Sequence, residues 1–336
     1  MEEFLFFKIS KNTTKGFVLL FRYLTILLLL NSLIACSEKV PSSEKLDRAS
    51  LMKLVFPSWK NQKEAQIQAL ALDEKKGEIP DSLVATAEGK EPSGYLFEIS
   101  AEQLIRLNEH RAVLITSDSP VDQEGVSVSG HLSPGLMSAF WFKQANGRWY
   151  ADGQQTQVDW VGAFGSIGKT KVVKLSQNQF ALGVESGDCF QGACFTNLML
   201  YELGYDKVKS ILKHSISIAG DTLGARGDCE QIFKQAPNKV IRHHYAESEQ
   251  SSFDCAAVKG DWQIKAGGKN PGDLLIRFSG FIEKQNTIEE IAAESDGDEA
   301  TIVVDSTLLP VKQQQLFRYQ QGEYRLISGK NPTPEF

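Results

Sequence analysis

Hydrophobic and polar positions follow two textures along the chain. Before residue 73 the apolar side chains are spaced as on short helices. Leu51, Leu54 and Val55 share one side before Pro57 interrupts, and Gln62 to Leu72 is rich in helix formers such as Ala65, Gln66, Ala69 and Leu70. Asp73 to Gly94 is charged, dotted with Gly and Pro, and expected to be loop. From Tyr95 to about residue 330, short β-branched and aromatic runs alternate with turn residues, which predicts a mainly β domain.

The clearest hairpin is Ala139-Phe140-Trp141-Phe142-Lys143, a turn at Asn146-Gly147, then Arg148-Trp149-Tyr150. Asn-Gly readily takes the positive φ angles that a tight hairpin turn requires. Three further stretches share the outline: Leu198 to Leu212 turning at Gly204-Tyr205-Asp206, Phe253 to Ile264 turning at Lys259-Gly260-Asp261, and Leu316 to Ile327 turning at Gln320-Gln321-Gly322. These turns recur about every 58 residues, as repeated supersecondary units would. The best-defined unit has four strands: Thr170 to Leu175, Phe180 to Glu185, Leu198 to Leu203 and Lys207 to Leu212. The expected fold is mainly β, made of antiparallel four-stranded units, propeller-like or alternatively a β-sandwich, after a short helical segment.

An apolar run, Leu24 to Ile34, precedes all of this. It is too short for a permanent membrane span, which takes roughly 20 apolar residues, and Lys8, Lys11, Lys15 and Arg22 lie before it. Basic residues, an apolar run, then small residues is the order of a secretory signal. The closing residues Leu33-Ile34-Ala35-Cys36 resemble the lipobox of bacterial lipoproteins. That resemblance implies cleavage before Cys36, acyl chains such as palmitate on it, and membrane attachment through the lipid alone. Ser37 rather than Asp follows Cys36, which in Gram-negative lipoproteins favours the outer membrane. The chain then divides into a signal peptide (1–35), a lipidated cysteine with a flexible tether (36–45), a helical segment and loop (46–94), and the β domain (95–330).

With 36 Lys and Arg against 42 Asp and Glu, the net charge is −6. Loss of residues 1–35 removes four basic and two acidic residues, leaving about −8. A field of that sign disfavours nucleic acid and acidic lipid surfaces as partners. Four cysteines follow Cys36: Cys189, Cys194, Cys229 and Cys255. An even number in an exported chain predicts two disulfides. Of the three possible pairings, Cys189–Cys194 with Cys229–Cys255 closes the shorter loops and is the expected one. On the chain-entropy account these bridges contribute roughly 2 and 3.5 kcal/mol. A zinc site would need a second pair to match Cys189 and Cys194, and none follows.

Candidate chemistry is sparse. Ala163-Phe164-Gly165-Ser166-Ile167-Gly168-Lys169-Thr170 looks like a relaxed phosphate-binding loop, but it lacks the first glycine, and Lys171 to Leu175 reads as strand where a helix is required. It is expected to be a glycine turn, with no nucleotide bound. The five histidines, His110, His131, His214, His243 and His244, show no zinc-hydrolase spacing. His243 and His244 would face opposite sides of a strand. No Gly-x-Ser-x-Gly occurs. Asp296-Gly297-Asp298-Glu299 offers carboxylates for calcium without a full binding-loop pattern. Trp141, Trp149, Tyr150 and Trp160 are expected in the core, and Gly187 to Phe195 as a stapled, projecting loop suited to recognition.

No catalytic, cofactor or metal residue is therefore assigned. The expected function is a non-catalytic ligand- or protein-binding or assembly role in the cell envelope, with an envelope protein or glycan as partner. The alternatives are an envelope hydrolase using carboxylates such as Asp228 and Glu230, and a purely structural lipoprotein.

Overall fold

The computed structural model describes residues 40–60, 65–72, 95–131, 133–246, 254–266, 268–291 and 300–335. The expected signal peptide, Cys36, the expected loop at 73–94 and the acidic cluster at 296–299 lie outside the described residues. All the strands belong to one compact unit, residues 42–336.

Helix α1 (Arg48–Val55) opens that unit. The Asp47 carboxylate caps it by accepting from the Ser50 N–H at 2.8 Å, and Leu51 and Met52 are fully buried. Five strands follow as an antiparallel sheet in chain order: β1 (Ala65–Leu70), β2 (Tyr95–Arg106), β3 (Arg111–Pro120), β4 (Gly135–Ala145) and β5 (Arg148–Val161). β1 corrects the helical expectation for this stretch. Helix propensity is worth only tenths of a kcal/mol per residue, less than pairing Ala65–Leu70 with Ser100–Tyr95 and burying Leu70.

This first sheet is covered on both faces. Leu114, Leu136, Phe140 and Phe142 pack under α1, while Val113, Ile115, Met137 and Trp141 pack against the second sheet. Double coverage explains why β3 and β4 read as nearly continuous apolar runs instead of alternating ones.

The second sheet has ten strands: β6 (Lys169–Lys174), β7 (Phe180–Phe190), β8 (Ala193–Leu203), β9 (Val208–Ser210), β10 (Ile216–Asp221), β11 (Val240–Ala246), β12 (Ala256–Ile264), β13 (Leu274–Ile291), β14 (Thr301–Gln320) and β15 (Glu323–Ser328). Their order is β11-β14-β13-β12-β10-β8-β7-β6, with β9 beside β8 and β15 beside β14. The short helix α2 (Cys229–Ile232) lies between β10 and β11. The sheet curls around Leu198, Leu200, Trp262, Ile276, Phe317 and Tyr324. Its curl brings β15 back beyond β9, where the Tyr324 N–H donates to Ile211 O at 2.8 Å. One such rung does not make a closed barrel.

The hairpins at Asn146-Gly147, Gly204–Lys207 and Gln321-Gly322 form as expected, and β6 to β9 are the four strands of the predicted unit. The regular series of four-stranded units does not form. β8 also pairs with β10, which merges β6 to β9 into the ten-stranded sheet. Lys259-Gly260-Asp261 is not a turn but the middle of β12. A side chain at Gly260 would meet Ile218 O at 2.7 Å and the Phe278 ring at 3.0 Å, so glycine serves close packing there. The tether is corrected at its end. Ser43 forms a bridge to Trp149 on β5, its N–H donating to Trp149 O at 2.9 Å and its carbonyl accepting at 2.7 Å.

Candidate functional site

The stapled loop foreseen between Gly187 and Phe195 is the tip of the β7–β8 hairpin. Cys189 and Cys194 are a cross-strand pair joined by a disulfide, and Gln191-Gly192 makes the turn with φ of 48° and 81°. Glycine is required at 192, since a Cβ there would lie 2.0 Å from Gly224 C. The Gly224 N–H donates to Gly192 O at 3.1 Å, which seats the tip on the turn before α2.

On its other side the hairpin meets two turns of the first sheet. Asp188 Oδ1 lies 3.2 Å from His131 Nδ1, and the His131 ring is 4.4 Å from that of Phe164. The Cys189 backbone N–H, then His131, hold the Asp188 carboxyl below its ordinary range. Phe164 belongs to the β5–β6 turn, where Ala163 bridges Ser166, and β6 follows directly. The phosphate-loop look-alike is thus a turn between strands. Phe190 is 71% exposed, Phe164 53% and Leu223 40%, so one end of the molecule carries a chain of protruding apolar side chains on turns fixed by a disulfide and backbone bonds. Beside it, Phe195, Asn197, Ser217, Asn331 and Thr333 line a groove of about 400 Å³.

Beneath this end lies a buried ionic cluster. Arg226, 7% exposed at its side chain, donates from Nη1 to Glu283 Oε2 at 2.7 Å, and from Nε and Nη2 to the Asp228 oxygens at 2.7 and 3.1 Å. The Tyr245 hydroxyl donates to Asp228 Oδ2 at 2.6 Å and also meets Arg226 Nη2. Cys255 N–H donates to Glu283 Oε2 at 3.1 Å, beside the Cys229–Cys255 disulfide. Burial alone would raise the Asp228 carboxyl, but the donors Arg226 and Tyr245 outweigh it and hold it low. Burial depresses His243, against the pull of Glu283. His243 Nε2 and Glu283 Oε1 stand 3.8 Å apart, each without a hydrogen-bond partner.

Both expected disulfides are present. A pair of bridges belongs to an oxidising, non-cytoplasmic compartment, and among the described residues no helix is long and apolar enough to cross a membrane. Asp228, Cys229 and Cys255 place one ligand atom each within 4.8 Å of one another, but both sulfurs are bound in the disulfide and the carboxylate is filled by Arg226. Asp228 precedes α2 and Glu230 sits in its first turn; two positions apart on a helix, they are not brought to one cleft. His243 and His244 diverge, as expected, the first half-buried and the second exposed. Trp141 and Trp149 are core residues. Sequence reasoning missed Arg226, Tyr245 and Glu283. Strand alternation gave no signal for Glu283, which shares its phase with exposed Arg277 and Ser279 while Leu274, Ile276 and Phe278 fill the other face. Searches of family models, curated proteins and solved structures found no match to this chain.

Proposed function

We propose that the mature protein is a non-catalytic binding or assembly module of the cell envelope, held on the outer membrane by acyl chains on Cys36. It presents the Phe164–His131–Phe190–Leu223 end to an envelope protein or glycan. The observation that carries this reading is the exposed aromatic ridge on turns that have little freedom to lose on binding. The engagement of Asp228 by Arg226 and Tyr245 speaks against the hydrolase alternative, because three donors hold its carboxyl below the ordinary range and make it a poor proton donor or acceptor near neutral pH. Of the two expected architectures we carry the sandwich forward, since the first sheet lays one face on β7 and β8.

A photo-crosslinking residue at Phe190 should give a defined adduct in intact cells, while one at Tyr205, exposed at the opposite end, should not. Equal adducts at both positions, or none at either, would defeat the reading. Cys36→Ser should abolish acyl labelling and release the chain from membranes.

A further inference from the structure

We propose that the end of the molecule where the chain enters the β domain lies flat on an anionic bilayer surface, which points the aromatic ridge away from the membrane. This rests on Cys36 being the lipid anchor. Among the described residues that follow Cys36, Ser42 and Ser43 are held to β5: Arg148 Nε donates to Ser42 Oγ at 2.8 Å, and Ser43 bridges Trp149. At 3.3–3.6 Å per residue, the chain from Cys36 to Ser42 spans at most about 20 Å. That end therefore stays near the headgroups. Strands such as β4 and β7, at roughly 3.3 Å per residue, set the ridge on the order of 35 Å further out.

Three turns converge beside Ser43. The Gln144 N–H donates to His110 O at 2.9 Å, Trp141 Nε1 to Gly204 O at 2.9 Å, and Arg111 Nη1 to Tyr205 O at 3.3 Å. Residues 42–45, 106–111, 143–152 and 204–207 carry six Lys and Arg against four carboxylates, with Lys45, Arg106, Lys143 and Lys207 exposed. Tyr205, also exposed there, is a residue type suited to the headgroup layer. The ridge end has the opposite balance. Residues 121–131, 162–168, 187–195 and 221–230 carry six carboxylates against one Arg. At physiological salt the screening length is about 8 Å, so headgroups respond to the nearby basic end and not to the net charge of the chain. The same surface repels the acidic end. Anchor and charge thus select one orientation.

The test uses the full-length acylated protein in vesicles of phosphatidylcholine with or without phosphatidylglycerol, and reads lysine acetylation rates by mass spectrometry. On anionic vesicles Lys143 and Lys207 should be modified several-fold more slowly than on neutral ones, high salt should erase the difference, and Lys234 near α2 should be unaffected. Lys207→Glu, on an exposed turn, should restore fast labelling of Lys143 without changing vesicle flotation. If the wild type floats and Lys143 and Lys207 label equally on both vesicle types, this inference fails while the anchor stands. Protection that tracks protein density instead of lipid charge also overturns it, in favour of a contact between copies. If the acylated chain does not float, the anchor reading falls and takes this one with it.

Discussion

Two buried carboxylates, one in each sheet, meet the same burial with different partners. Asp118 on β3 is fully buried. One oxygen accepts from the Ser138 hydroxyl and the other has no partner. Desolvation dominates and pushes it up to about 7. Glu283 on β13 is equally buried, but it accepts from Arg226 and from the Cys255 N–H. Asp228, on the same guanidinium, is held low. A guanidinium on a neighbouring loop, present for Asp228 and absent for Asp118, separates a carboxyl held low from one pushed up.

The largest expected effect comes from removing that partner. Arg226→Met leaves Glu283 buried without its guanidinium and should cost about 3–5 kcal/mol in denaturant unfolding. A loss under 1 kcal/mol would mean that the cluster contributes no more than a surface pair.

Opening the disulfide beside the cluster comes next. Cys229→Ser with Cys255→Ser should cost about 3.5 kcal/mol on the loop-entropy account, and the Cys189–Cys194 pair only about 2. Equal losses at the two bridges would place their contribution in the folded state instead.

Asp118→Asn sharpens the contrast from the other side. A carboxyl with a raised folded pKa contributes stability that is complete below its unfolded value, near 3.8, and lost as pH rises through about 7. The variant should therefore be more stable than wild type at pH 8, by about 1–3 kcal/mol, with the gain vanishing near pH 4. A melting-temperature difference independent of pH would refute the assignment.

The smallest effect belongs to His243. Its folded pKa is depressed, so stability is lost as pH falls below the ordinary histidine value of 6.5. His243→Gln should flatten that slope between about pH 7 and 5 by a few tenths of a kcal/mol, measured by pH-dependent melting. A slope unchanged in the variant would move the acid sensitivity elsewhere.

Local patterns carried much of the fold. Asn146-Gly147 made its hairpin because the turn is a property of two residues and the strands beside them. Both disulfides followed from short loop closure. Gly260 misled, since glycine signals a turn and a tight approach alike, and only the Phe278 ring across from it decides which. The strand Ala65–Leu70 was hidden because its helix formers answer to local propensity while its pairing partner lies thirty residues away.

By itself the sequence determined a mainly β chain and the cysteine pairs. These are written in neighbouring residues or in composition. Tertiary structure alone decided the division into a five- and a ten-stranded sheet, the meeting of Arg226, Asp228, Tyr245 and Glu283, and the excess of basic residues at one end and of carboxylates at the other. Those depend on which distant segments pair. Strand pairing is a sum of many small long-range terms that no local window of the chain contains.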